Sequence, residues 1–186
     1  MKLDKAVASF KGLNKQLPQP VVRALNRTAA HIKTFAAREV AKHYTLKVRD
    51  ANSMMKIRPK ASATNLNTAV HAESRLLTPY HFKFTPTSGI TSKKGGGIRP
   101  KATVTIKKGN KQVLRHAFVA VVKGVRNVYI RQNKSRSSMV GLRSASLPQM
   151  IQNKKVSNVI FKDMTQFYEK NFLHEFEFLS KKAGFK

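Results

Sequence analysis

The residues of this sequence best able to do chemistry are its lysines and arginines, which number 37 against only 8 aspartates and glutamates. The formal net charge is +29, and self-repulsion of that size destabilises a compact chain unless something neutralises it. Ammonium and guanidinium groups bind phosphate and carboxylate oxygens through charge-assisted hydrogen bonds. The composition therefore indicates a polyanionic partner: nucleic acid, an anionic membrane surface or an acidic protein.

The positive charge is concentrated in the middle of the chain. Between Glu73 and Asp163 there is no acidic residue, whereas the same interval holds 19 lysines and arginines. Half of the acids lie beyond it, in the C-terminal segment. We expect the middle to face phosphates and the C-terminal segment to pack on protein. The predicted nucleic-acid contacts are Lys93, Lys94, Arg99, Lys101, Lys107, Lys108, Lys111, Arg126, Arg131, Lys134, Arg136 and Arg143.

No motif in the sequence indicates recognition of particular bases. The three glycines at 95–97 would let the backbone approach a phosphate, but the strand–loop–Gly-Lys-Thr order of a P-loop is missing. Zinc-finger spacing, a basic zipper and an RNA-recognition aromatic motif are missing too. We therefore expect contacts to the nucleic-acid backbone, independent of base sequence and steeply dependent on salt.

The same residues offer little for catalysis. Metal-dependent phosphodiester cleavage needs clustered carboxylates, and Glu175 and Glu177, two positions apart, point to different sides of a helix. The six histidines show no paired metal-ligand spacing, and no cysteine is present to serve as a nucleophile or zinc ligand. We expect no enzyme activity, no metal and no cofactor.

Three segments have the apolar spacing of helices. The first covers residues 3–16, and the last, rich in phenylalanine, covers about 157–182. Between them a helix is predicted over about 19–44, with Pro20 in its first turn, where the missing N–H costs nothing. Its predicted core-facing stripe is Val21, Leu25, Ala29, Ile32, Ala36 and Val40.

Short β-like segments occupy the interval between the long helices. A hairpin is predicted from residues 102–106, the turn at 107–110 and the apolar pair after it, with further strands at 117–122 and 128–131. We predict an α+β fold, with a small antiparallel sheet of three or four strands packed by the two long helices. Residues 1–186 should form a single domain with mobile basic loops at about 85–100 and 132–146. No apolar run is long enough to span a membrane, so a soluble protein made in the cytoplasm is expected.

Several short sequence motifs, in order along the chain, resemble those of the minor tail protein Z family of phages and prophages. The most specific is Asn26-Arg27-Thr28 in the second helix; others are Ala37-Arg38-Glu39-Val40, Val128-Tyr129-Ile130-Arg131 and Leu147-Pro148-Gln149-Met150. The strand near Tyr129 and the segment 89–99 depart from the family pattern. The resemblance covers most of the chain.

The resemblance implies a structural virion protein that is made in the host cytoplasm, completes the head-proximal end of the tail and supports head–tail joining. Its expected partners are tail tube and tail terminator proteins, the tape measure protein, other copies in a ring-like homo-oligomer, and the end of the double-stranded DNA. Asn26 and Arg27 could form a helix–sheet contact, which we favour, or a subunit contact. The predicted interface residues are Asn26, Arg27, Phe172, Phe176 and Phe178.

Three other functions fit parts of the same sequence. The main alternative is a cellular nucleic-acid-binding protein, associated with the ribosome or nucleoid, which would work without tail proteins. A scaffold whose basic face meets acidic protein would assemble even after nuclease treatment. An enzyme would reveal itself by metal-dependent cleavage of DNA.

Overall fold

The computed structural model describes residues 18–85, 102–114, 116–122, 124–133 and 138–182. The helices are α1 (Pro18–His43), α2 (Val48–Ser53), α3 (Leu147–Ile151) and α4 (Lys154–Lys182), with a 3-10 helix at Pro79–His81. The strands are β1 (Met55–Ile57), β2 (Val70–Ala72), β3 (Lys83–Thr85), β4 (Ala102–Thr105), β5 (Lys111–Leu114), β6 (Ala117–Val122), β7 (Val125–Arg131) and β8 (Met139–Gly141). The predicted α+β class is confirmed.

The described strands form three small sheets instead of the one sheet that was predicted. Strands β1 and β2 pair with each other, β3–β4–β5 form a second sheet, and β6–β7–β8 form a third. All pairings in the two three-stranded sheets are antiparallel. The prediction was wrong on the number of sheets because the sequence shows which segments are extended, whereas sheet membership depends on pairing between them.

Contacts between Cα atoms divide the chain into two units. Among the described residues, the first unit consists of 18–36, 55–71 and 157–182, and the second consists of 37–54 and those between 72 and 156. Helices α1 and α4 each contribute residues to both units. The predicted N-terminal helix over 3–16 lies outside the described residues.

In the first unit, α1 and α4 pack along each other in antiparallel directions. Near the start of α1, Arg27 donates a hydrogen bond to the carboxylate of Glu175 near the end of α4. About one turn further along α1, His31 is 2.8 Å from the Asp163 carboxylate, and its ring stacks on Phe167 at 3.7 Å between centroids. Successive α1 residues thus meet earlier and earlier residues of α4, which fixes the opposite orientation.

The buried side of α1 differs slightly from the predicted stripe. Ala29, Ile32 and Ala36 are buried as expected, but Ala24 and Thr28 are buried in place of Val21 and Leu25, which are half-buried. Near the start of the helix the buried position is therefore Ala24, one residue before the predicted Leu25. Hydrophobicity alone does not decide which of two adjacent positions faces the core when the smaller residue is alanine or threonine.

In the second unit, two hairpins form, the first where the sequence predicts one and the second from two segments that were predicted only as strands. Strands β4 and β5 pair with Thr105 opposite Lys111, and the turn between them places Gly109 at φ +81°. Strands β6 and β7 pair with Val122 opposite Val125, and Gly124 in their turn has φ +76°. Both glycines occupy the left-handed region that side chains with a Cβ avoid, which explains their positions in the sequence.

Short elements are the main features that the sequence did not predict. Helices α2 and α3 have only six and five residues, too few for a helical apolar repeat to show. Strand β8 lies inside the predicted basic loop at 132–146, where it pairs with the end of β7. Residues 134–137 of that loop, and residues 86–100 of the other, lie outside the described residues. In the described part, no helix is both long and apolar enough to cross a membrane.

Candidate nucleic-acid interface

Six of the twelve predicted phosphate contacts lie in the described part of the chain. Lys107, Lys108 and Lys111 are exposed around the turn between β4 and β5. Arg131 is exposed at the end of β7, and Arg143 is exposed after β8. Arg126 is a residue of β7. The other six, which lie outside the described residues, are Lys93, Lys94, Arg99, Lys101, Lys134 and Arg136.

Two of these cations, Lys107 and Arg143, line the same open groove of about 900 Å³ in the second unit. The remaining lining residues are Tyr44, Leu76, Ile106, Ser144, Ala145, Gln149, Gln152 and Asn153. None of the lining residues is acidic, and several carry neutral hydrogen-bond donors. A groove with two cations, amide and hydroxyl donors and no carboxylate is suited to phosphate oxygens.

The wall that carries Lys107 is held by backbone hydrogen bonds between the end of α1 and the β4–β5 turn. The N–H of Lys108 donates to the carbonyl of His43 at 2.9 Å, and the N–H of Thr45 donates to the carbonyl of Ile106 at 2.9 Å. Tyr44, between them, forms an isolated antiparallel bridge with Lys107. These bonds fix the backbone of Lys107, so the position of its ammonium group depends only on its own rotamers.

The opposite wall is held by the segment that joins β8 to α4. The N–H of Ser144, next to Arg143, donates to the carbonyl of Leu77 at 2.6 Å. A capping box starts α3, since the Ser146 N–H donates to the Gln149 side chain at 2.9 Å. The amide of Asn153 donates to the Tyr44 hydroxyl at 3.2 Å and so joins the two walls of the groove.

A second depression of about 590 Å³ in the same unit is less suited to anions. It is lined by Lys47 and Lys83 together with the carboxylate-bearing Asp50 and the rings of Tyr80 and His81. The Asp50 carboxylate would repel a phosphate that entered this space. Charge therefore distinguishes the groove of Lys107 and Arg143 as the better anion site of the two.

Another of the predicted phosphate contacts, Arg131, lies beside aromatic rings. Its Cζ atom is 5.4 Å from the ring centroid of Phe118, within the range of a cation–π contact. The Phe118 ring is 6.4 Å from the ring of Tyr129 on the neighbouring strand. Arg131 therefore has aromatic neighbours, and it is not one of the residues that line the groove of Lys107 and Arg143.

The predicted interface residues Asn26 and Arg27 both make contacts inside the first unit. The Asn26 side chain accepts a hydrogen bond from the Ala61 N–H and donates one to the Ala61 carbonyl, both at 3.0 Å. Arg27 and Arg23 both pair with Glu175, whose side chain is only 5% exposed. Asn26 and Arg27 thus hold the loop of Ala61 and helix α4 against α1.

The predicted interface phenylalanines lie on α4. Phe176 is 43% exposed and Phe178 is 56% exposed, whereas Phe172 is half-buried. The rings of Tyr168, Phe172 and Phe176 stack at successive helical turns, at 6.0 and 6.2 Å between centroids. Exposed apolar side chains on one helix offer a surface that another protein can cover.

Neutral groove residues and the buried Glu175 are the functional features that sequence reasoning missed. Gln149, Gln152 and Asn153 carry no charge or motif that would have marked them. Glu175 was classed only with the scattered acids of the last helix. Among the described residues, no group of three or more histidines, aspartates and glutamates is placed to hold a metal ion.

Comparison with known protein families gives a match that covers most of the chain. The model of the prophage minor tail protein Z family matches residues 1–178, nearly the whole chain. Comparison with curated proteins gave no match, and comparison with solved structures gave none either. The family match includes both the signature phrase around Asn26 and the segment that forms the basic groove. The chain therefore belongs to the prophage minor tail protein Z family, a family of phage tail proteins.

Proposed function

We propose that this protein completes the head-proximal end of the phage tail and supports head–tail joining by holding the end of the double-stranded DNA through its phosphates. The observation that carries the DNA contact is the groove of the second unit, in which Lys107 and Arg143 face the same space without a carboxylate. Both residues belong to the acid-free interval of the chain. The protein acts in this proposal as a structural component and not as an enzyme.

The recognition is independent of base sequence because its donors address phosphate oxygens. An arginine offers a planar fork that matches two phosphate oxygens, and a lysine adds a mobile point charge. Each neutralised phosphate releases condensed counterions, so affinity falls as salt rises. The neutral donors Gln152 and Ser144 can orient the backbone in the groove but contribute little to that salt dependence.

The first unit provides the protein-facing surface in this proposal. Phe176 and Phe178 on α4 contact a neighbouring copy in a ring-like homo-oligomer, or a tail tube, tail terminator or tape measure protein. Large exposed apolar side chains are enriched at such interfaces, and their burial on assembly is favourable. Asn26 and Arg27 act indirectly, because their bonds hold α1, α4 and the Ala61 loop together.

The DNA contact is tested by measuring binding to random-sequence duplex across a salt series from about 50 to about 300 mM. The double variant Lys107→Gln/Arg143→Gln should weaken binding and reduce the slope of log K against log salt by about 1.8, which corresponds to two lost phosphate contacts. The control Lys60→Gln/Arg75→Gln removes the same charge from exposed positions outside the groove. It should change the slope by less than about half as much.

Three results contradict the DNA role: no binding at low salt, affinity that does not change with salt, or equal loss of affinity in the groove and control variants.

The position in the tail has its own test, in which purified tails are labelled with antibody to this chain and viewed by electron microscopy. Label at the end that joins the head supports the proposal. Label at the opposite end or along the tube contradicts it.

A further inference from the structure

One face of the sheet formed by β6, β7 and β8 carries a cluster of aromatic and basic side chains. The strand register places Phe118 directly opposite Tyr129, and Tyr129 directly opposite Gly141. Because side chains alternate along a strand, Arg131 points to the same face as Tyr129. The other face carries Val119 and Val128, which are buried in the core. We call the first face the aromatic face, defined by Phe118, Tyr129, Arg131 and Gly141.

The Tyr129 ring lies next to Gly141 on the neighbouring strand. A Cβ atom built at Gly141 would be 2.9 Å from the Asn127 amide nitrogen, 3.4 Å from the Tyr129 Cε1 atom and 3.8 Å from its Cδ1 atom. The Asn127 amide and the edge of the Tyr129 ring therefore border the space that a side chain at position 141 would fill. Tyr129 and Phe118 are both half-buried, so neither residue is enclosed in the core.

Phe118 and Arg131 extend this surface. The Phe118 and Tyr129 centroids are 6.4 Å apart, with 33° between the ring planes. The exposed guanidinium of Arg131 lies 5.4 Å from the Phe118 centroid. Rings and a guanidinium are the groups on which unpaired bases stack, and such stacking needs no particular base because every base has a π-face.

We propose that the aromatic face binds single-stranded DNA by stacking unpaired bases on Phe118 and Tyr129, with Arg131 holding an adjacent phosphate or base. This inference rests on the proposed DNA contact and adds a second kind of DNA site to it. The phosphate groove suits a duplex backbone, whereas the ring faces suit bases that are out of the double helix. The net charge of +29 and the acid-free interval that contains β6 to β8 complement a polyanion.

The alternative is a purely structural aromatic pair that keeps β6 and β7 together. The two readings differ in what a conservative ring exchange does to DNA binding. Tyr129→Phe and Phe118→Tyr keep a stacking surface, whereas Tyr129→Leu and Phe118→Leu keep an apolar side chain without one. Tyr80→Leu is the matched control, because Tyr80 is an exposed tyrosine of the same unit and packs against Phe84 instead.

The experiment measures fluorescence anisotropy of a labelled thymidine oligonucleotide of about 20 nucleotides, and of a duplex of equal length, with the full chain. Phe118→Leu and Tyr129→Leu should each weaken single-strand binding about 5- to 100-fold and duplex binding less than about twofold. The ring-preserving variants and the Tyr80→Leu control should stay within about twofold for both DNAs.

A photocrosslink provides the readout that a structural role would not give. Oligonucleotide carrying 5-iodouracil should crosslink, after irradiation, to the peptide containing Phe118 or to the peptide containing Tyr129. Crosslinks found only elsewhere in the chain overturn the inference, and so does single-strand affinity that the leucine variants leave unchanged. If the aromatic-face proposal fails but duplex binding still depends on Lys107 and Arg143, the groove proposal survives. If the unaltered chain binds neither single-stranded nor duplex DNA, both proposals are rejected.

Discussion

The buried carboxylate of Glu175 gives the sharpest test of what holds α1 against α4. Its side chain is 5% exposed and pairs with Arg27 and, at 3.5 Å, with Arg23, whereas the two arginines are more than half exposed. The test removes either the two arginine charges or the carboxylate charge of this ion pair. Arg23→Gln/Arg27→Gln leaves the carboxylate buried without a cation, and Glu175→Gln leaves the two guanidiniums beside a neutral amide.

The expected costs are unequal because the two sides differ in hydration. A buried charge that loses its partner destabilises a protein by about 3–5 kcal/mol. The guanidiniums left by Glu175→Gln remain in water, so that variant should cost only about 1–2 kcal/mol. With a urea m value of about 1–3 kcal/mol/M, a loss of 3 kcal/mol lowers the unfolding midpoint by about 1–3 M.

The assay is urea unfolding followed by far-ultraviolet circular dichroism at constant salt and protein concentration. Arg38→Gln serves as the control, because Arg38 is an exposed arginine on the same helix, and it should cost no more than about 0.5 kcal/mol. The reasoning is refuted if Glu175→Gln costs more than the double arginine variant. It is refuted equally if the double arginine variant matches the Arg38→Gln control.

Substitutions at two further positions test local contacts, and each is measured by the same unfolding assay. Asn26→Leu removes both hydrogen bonds to the Ala61 backbone and should cost about 1–3 kcal/mol, whereas Asn26→Asp keeps the acceptor and should cost less; equal costs would contradict this assignment of the two bonds. Gly141→Ala places a Cβ 2.9 Å from the Asn127 amide nitrogen and should cost about 1–3 kcal/mol, and an unchanged midpoint would show that this site is not tightly packed.

The sequence predicted the β4–β5 hairpin and the long helices because their signals are local. The predicted turn at 107–110 contains Gly109, which has a positive φ, and the extended segments on either side of it pair as β4 and β5. The long helices repeat their apolar pattern over many turns. Helix α4 begins three residues before its predicted start because the Asn153 side chain accepts a hydrogen bond from the N–H of Lys155, and this capping interaction was not recognised from the pattern.

The candidate sites could be predicted only in part. The list of basic residues contained Lys107, Arg131 and Arg143, since charge is visible in a sequence. It did not separate the pair that lines one groove from the cation that lies over Phe118. That separation depends on which strands pair and on which face each side chain points to. A shift of one residue in register would by itself turn Arg131 to the opposite face of its sheet.

The amino-acid order by itself determined the charge of +29, the stretch without acids and, for the longer elements, the local choice between helix and strand. Those properties follow from residue types and from spacing within a few positions. Only tertiary packing decided that Glu175 is buried beneath two arginines and that Lys107 meets Arg143 in one groove. Such contacts join residues far apart in the chain, and their geometry follows from how the helices and sheets pack, which no local pattern encodes.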